Sequence, residues 1–146
     1  MQLDRSTPHA TPVQSPSLIA RGLALADLAR LHDQHDLAAL AAPDIQAPDF
    51  EASREGVAHA MENVTAQILA STAHTTADAA ALAVTCYALS DTALACAGED
   101  WLRSEVMRLR PALARLATFL AAAAEIPLGG LMFQDDAERM IAIAAR

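Results

Sequence analysis

The sequence has little of what a β-sheet, a disulfide framework or a basic nucleic-acid surface requires. Aromatic residues make up 3% of its 146 residues, and it contains five glycines, two cysteines and no lysine. β-Branched residues never run together as they do in strands. Alanine, the best helix former, supplies much of the apolar 53%. The sequence therefore predicts an all-α protein.

The charge balance argues against nucleic acid as a partner. The formal net charge is −8, and all ten basic residues are arginines. Phosphate contacts require several basic side chains on one surface. One cluster of arginines lies on a predicted helix, where it forms either a solvated face or a site for an acidic partner: Arg103, Arg108, Arg110 and Arg115.

The two cysteines and the apolar segment 77–98 give expectations about the cellular compartment and about membrane association. Cys86 and Cys96 lie ten positions apart, about 15 Å along one helix, which is too far for a disulfide. Free thiols suit a reducing compartment, so we expect a cytoplasmic protein. Segment 77–98 is long enough to span a bilayer, but it is mostly alanine and includes Asp91. We therefore expect no membrane partner.

Prolines, glycines and capping residues divide the chain. Residues 1–16 contain three prolines among Ser, Thr and Gln and predict a disordered tail. Residues 17–146 then form one domain, with Ser17, Asp49 and Thr75 as N-caps and a break at the Pro127 segment. The first predicted helix runs from Ser17 to about Ala42 with an interruption around His32–Asp36, and the second covers about 50–72. Thr75 opens the third and Gly98 closes it, the fourth has Glu99 and Asp100 in its first turn and ends at the Pro127 segment, and the last covers about 134–145. Short turns between them predict an antiparallel four- to five-helix bundle with a disordered N-terminal tail.

Apolar spacing predicts which helix faces are buried. Segment 77–98 is apolar nearly all round, so it belongs at the centre of the bundle or in an oligomer interface. The fourth helix has large apolar residues at heptad spacing: Leu102, Val106, Leu109, Leu113, Leu116 and Leu120. We expect a non-enzymatic interaction module that binds a second copy of itself or another helical protein. Its candidate contacts are Leu102, Leu109, Leu113 and Leu116, and we expect no cofactor.

The histidines suggest an alternative function. His32 and His35 are three residues apart on a predicted helix, beside Asp33 and Asp36. Two imidazoles with nearby carboxylates are suitable ligands for zinc or a similar ion. The alternative function is therefore a metal- or small-ligand-binding bundle, and the competing interpretation is a pair of histidines near a helix end.

A third function follows from a short motif. Arg54 and His59 have the spacing Arg-x4-His, which resembles the Arg-x(4–6)-His motif of HEPN ribonuclease domains. The resemblance implies an RNA-cleaving pair. His59 also lies in a row with Glu55 and Glu62, a candidate proton relay or, in the simpler interpretation, a solvated face.

Asp91 is the last candidate, because it is a carboxylate inside an apolar helix. A buried carboxylate is costly unless it is paired, so we expect either an arginine partner from the fourth helix or exposure at a gap.

A wider resemblance involves the segment TTADAAALAVTCYAL, residues 75–89. With the amphipathic helix before it and the acidic joint after it, this segment resembles small uncharacterised helical proteins of alphaproteobacteria. The resemblance implies a helical fold and no particular activity.

Overall fold

The computed structural model describes residues 16–41, 47–96 and 98–146, and these residues form helices without strands. The helices are α1 (Leu18–Ala41), α2 (Ala47–Leu69), α3 (Thr76–Cys96), α4 (Asp100–Ala123), α5 (Leu128–Leu131) and α6 (Gln134–Ala144). The predicted all-α class is confirmed. The one helix beyond the predicted five, among the residues described, is the four-residue α5. The predicted disordered tail, except for Pro16, lies outside the described residues.

The helices lie side by side in the order α2, α1, α3, α4 and α6, with α5 between α1 and α6. Arg21, near the start of α1, bonds Ser71 just after α2, and Arg54, near the start of α2, bonds Asp36 near the end of α1. These two bonds show that α1 and α2 are antiparallel. The contacts of α4 are with α3 and α6.

Two of the predicted N-caps are present, and the capping box formed at the second of them also connects α3 to α1. Ser17 Oγ accepts the Ala20 N–H, and Thr75 Oγ1 accepts the Asp78 N–H. The Asp78 carboxylate accepts the N–H of Thr75 in return, which completes a capping box. It also accepts the N–H groups of His74 and Ile19, so one carboxylate holds the starts of both α1 and α3.

Two predicted boundaries were wrong. Helix α1 runs without interruption through His32–Asp36, where the Asp36 carboxylate pairs with the side chains of His32 and Arg54. Helix α2 begins at Ala47, so Asp49 lies in its first turn and does not cap it. A carboxylate in that turn still interacts favourably with the positive end of the helix.

Helix α4 ends at a Schellman motif before the Pro127 break that the sequence predicts. Glu125 has φ 56°, the Ile126 N–H donates to Ala121 O at 2.9 Å, and the Glu125 N–H donates to Ala122 O. The chain after Pro127 then forms α5 where we predicted only a break.

Helix α3 occupies the centre, as predicted for its apolar surface. It contacts α1, α2 and α4, and it contributes Ala83, Val84 and Tyr87 to the core cluster that α4, α5 and α6 complete. Gly22 of α1 permits close approach, because a Cβ there would lie 2.9 Å from the Cβ of Ala81. By length and composition alone α3 could cross a membrane, a property that core helices share.

Candidate interaction surface

Helix α4 fully buries only alanines, and several of its large apolar residues are exposed. Ala114, Ala117 and Ala121 are buried at the contacts with α3 and α6, where they let the helix axes approach closely. Leu109, Leu116 and Phe119 are 60%, 49% and 69% exposed. This is the reverse of an ordinary amphipathic helix, in which the large apolar side chains face the core.

The exposed residues form a continuous heptad pattern along α4. We call this surface the outer stripe. All its residues are exposed, and consecutive ones are alternately three and four positions apart. The outer stripe consists of Leu102, Glu105, Leu109, Ala112, Leu116, Phe119 and Ala123. Trp101 adjoins the stripe at its start and is 64% exposed. The stripe is therefore one apolar strip along the whole helix, interrupted by a single charge.

The four predicted contact residues divide between two faces. Leu102, Leu109 and Leu116 belong to the outer stripe. Leu113 is half-buried and packs against the core, and so does Leu120. The leucine pattern was found from sequence, but the outer partners of these leucines at 105, 112 and 119 were missed. Their spacing was visible, whereas their exposure depends on the burial of the alanine face.

The arginine cluster of α4 does not act as one patch. Arg110 points inward and pairs with Asp91 of α3, as the sequence suggested for that carboxylate. Arg108 pairs with Glu105 at 3.2 Å along the helix. Arg103 and Arg115 are exposed, and Arg115 lies next to Leu116 at the edge of the outer stripe.

Arg110, Asp91 and Tyr87 together join α3 to α4. Arg110 Nη2 donates to the Tyr87 hydroxyl at 3.2 Å, and the guanidinium carbon lies 5.3 Å from the centre of the Tyr87 ring. Burial raises the pKa of Tyr87, and the positive charge of Arg110 opposes that shift. This arrangement explains how α3 accommodates Asp91: the carboxylate has a cation from the neighbouring helix.

The two histidines proposed as ligands have different surroundings. His32 forms a cluster with Asp33 and Asp36 in which one donor atom of each lies within 4.8 Å of the others. His32 Nδ1 lies 3.6 Å from Asp36 Oδ2. His35 is outside this cluster, and its Nδ1 is buried without a hydrogen-bond partner among the described residues.

Arg54 and His59 have separate partners. Arg54 bonds Asp36 of α1 at 3.0 Å, and this hydrogen bond raises the pKa of the guanidinium. His59 lies 3.6 Å from Glu62, and both side chains are more than 70% exposed. The Glu55, His59 and Glu62 row therefore lies on an exposed face of α2.

A largely apolar cavity of about 260 Å³ lies among α1, α2, α3 and the segment from α5 to α6. Leu25, Met61 and Val84 line it, and neither His32 nor His35 does. A small-ligand site in this cavity would thus be separate from the histidines.

Comparison with protein-family models, with curated proteins and with solved structures finds no match for this chain.

Proposed function

We propose that the protein is a non-enzymatic helical interaction module that self-associates through the outer stripe of α4. The observation that carries this proposal is the exposure of large apolar residues at heptad spacing over nearly the full length of one helix. Scattered exposed leucines are ordinary on protein surfaces, but a continuous apolar strip marks an interaction surface.

The other parts of this chain are poor candidates for covering the stripe. The core-facing side of α4 is already occupied by α3 and α6. Residues 1–15 contain only three large apolar residues, Met1, Leu3 and Val13, among prolines and polar residues. Another helix with the same spacing would match the stripe better, and a second copy of α4 supplies one.

The composition of the core favours association. The buried apolar residues of α4 are alanines, which contribute little area each. Burying the leucines and Phe119 of two stripes would add large side chains to the half-buried Leu113 and Leu120 that this helix already packs against its own core. A fully buried leucine or phenylalanine contributes about 1.5–3 kcal/mol.

The test is the molar mass of untagged protein over a range of concentrations. We expect sedimentation velocity to give twice the 15.3 kDa chain mass at high concentration. Dilution from about 100 µM to about 1 µM should show dissociation if the interface is of modest strength. A single-chain mass throughout this range would overturn the proposal.

We propose metal binding at His32 as a second candidate function, because His32, Asp33 and Asp36 bring three donor atoms together. An imidazole and two carboxylates suit zinc or a similar divalent ion. Arg54 opposes such binding, since it already supplies a positive charge to Asp36.

The metal prediction has a matched control on the same helix. In zinc titration calorimetry we expect one zinc ion per chain, with binding weakened about tenfold or more by His32→Ala, which removes a ligand. His35→Ala should leave the affinity unchanged, because His35 lies outside the cluster. Arg54→Gln should tighten binding by removing the competing cation. Equal loss in both histidine variants would contradict the assignment.

A further inference from the structure

The outer stripe has a direction, and its charges indicate how two copies pair. Glu105 is the one charged residue within the stripe, and Arg115 lies beside the stripe ten positions further along α4. Glu105 is 56% exposed, and its recorded partner is Arg108 of the same helix. Because of the positions of Glu105 and Arg115, a parallel pair of α4 helices and an antiparallel pair differ in the charges that they bring together.

A parallel pair would be unfavourable at Glu105. In a parallel heptad interface equivalent positions face each other, so Glu105 would meet the partner's Glu105. Like charges opposed in a desolvated interface cost free energy. An antiparallel pair removes this contact, because each residue then faces one from the other end of the stripe.

The antiparallel arrangement also sets a large residue against a small one at the centre of the stripe. When the stripe is reversed about a point between Arg110 and Pro111, Leu102 faces the partner's Phe119 and Leu109 faces the partner's Ala112. Glu105 then faces the partner's Leu116, next to the partner's Arg115. The midpoint lies near the middle of Asp100–Ala123, so the two helices overlap along almost their whole length.

We infer that the partner of the outer stripe is a second copy of this chain, bound with the two α4 helices antiparallel. In this dimer Glu105 of each copy pairs with the partner's Arg115. The twofold axis repeats every contact, so two such ion pairs flank a central layer built by Leu109 and Ala112. This inference rests on the proposed self-association and adds its orientation and register.

Charge reversal tests the register. Glu105→Arg places two arginines at each ion pair of its homodimer, and Arg115→Glu places two glutamates there. We expect each variant to dimerise about threefold to tenfold more weakly than the unchanged protein, because the twofold axis doubles each repulsion. The mixed dimer of these two variants has both pairs attractive, so mixing them should produce an excess of heterodimer in native mass spectrometry.

Two controls make the result specific to the register. The double variant Glu105→Arg with Arg115→Glu restores both pairs and should dimerise within about twofold of the unchanged protein. Arg103→Glu makes the same change of charge as Arg115→Glu, but on an exposed α4 residue outside the stripe. It should leave dimerisation nearly unchanged. Circular dichroism of each variant checks that the helices are intact.

The outcomes separate the two proposals. A dimer of the unchanged protein together with a statistical mixture of the two single variants would overturn the antiparallel register and leave self-association standing. A single-chain mass for the unchanged protein at every concentration would overturn self-association itself. An excess of heterodimer with rescue by the double variant supports both.

Discussion

Replacing Leu109 by Asp is expected to convert the proposed α4 dimer into a monomer that retains its helical content. Leu109 lies at the centre of the outer stripe and is 60% exposed in the single chain. A charge there would be buried without a partner in the dimer, once in each subunit. Loss of about 2 kcal/mol per subunit would weaken dimerisation about a thousandfold.

The fold of the single chain should tolerate this change. Substitutions at exposed helix positions usually alter stability by no more than about 0.5 kcal/mol. We therefore expect sedimentation velocity to show one-chain mass at concentrations where the unchanged protein is dimeric, with far-UV circular dichroism unchanged. Trp101, the single tryptophan, adjoins the stripe and should fluoresce at longer wavelength once it is solvated.

Leu37→Asp is the matched control for Leu109→Asp. Leu37 is an exposed leucine of α1, 68% accessible, and it lies outside the stripe. The same substitution there should leave the dimer intact. Persistent dimers in the Leu109→Asp variant, or equal loss in both variants, would exclude the outer stripe as the interface.

The difference between the predicted and observed α4 has a physical cause. Heptad spacing identified the row Leu102, Leu109 and Leu116. The same row can belong to either of two apolar faces of the helix, one on each side of it. The sequence pattern favoured the side of Val106, Leu113 and Leu120, and of these Leu113 and Leu120 do pack against the core. Leu102, Leu109 and Leu116 face outward, because the strongest burial falls on Ala114, Ala117 and Ala121.

Alanine burial is difficult to predict, since it depends on what lies opposite. Ala114 and Ala117 share their buried cluster with two large side chains, Tyr87 of α3 and Met140 of α6. Neither residue is near α4 in sequence. The sequence left two alternatives open for Asp91, an arginine partner from the fourth helix or exposure at a gap. The structure gives it Arg110 as a partner and leaves its side chain 35% exposed.

The candidate metal cluster shows the same limit at shorter range. Spacing alone placed His32 and His35 together, since residues three apart are neighbours on a helix. The structure instead groups His32 with Asp33 and Asp36, and it adds Arg54 from α2, which no local pattern could supply. Local spacing thus identified the segment, and tertiary packing decided which of its side chains meet.

The residues at which helices begin were more predictable from the sequence. Asp78 is the residue that stabilises the starts of α1 and α3. Asp78 is 7% exposed, and its carboxylate accepts backbone N–H groups from Thr75 at 3.2 Å and from His74 and Ile19 at 3.3 Å. The capping box was visible in the sequence, but the bond to Ile19 was not, because it crosses 59 residues.

Asp78→Ala should lower the free energy of unfolding by about 2–4 kcal/mol. The change removes a helix cap, and it leaves N–H groups of α1 and of the α3 approach without their acceptor in a largely buried location. Asp100→Ala removes the same residue type from the first turn of α4, where Asp100 is exposed, and should cost about 0.3–1 kcal/mol. Urea unfolding at one fixed protein concentration, followed by circular dichroism, measures both.

The pH dependence of stability isolates the charge of Asp78. Burial alone would raise the pKa of this carboxyl, but the hydrogen bonds from Thr75, His74 and Ile19 outweigh burial, and the folded pKa lies below its ordinary value. A lowered folded pKa means that the carboxylate stabilises the fold above the unfolded pKa, about 3.9. That contribution is lost as the pH falls from there through the folded pKa.

Comparison with Asp78→Asn separates this carboxyl from the others that titrate in the same range. The asparagine keeps one acceptor oxygen and has no charge to lose. We expect the unchanged protein to exceed this variant in stability by a constant amount above about pH 5, and the difference to shrink below about pH 4. A difference that persists undiminished at pH 3 would show that shape and hydrogen-bonding capacity, and not the negative charge, make Asp78 the anchor of α1 and α3.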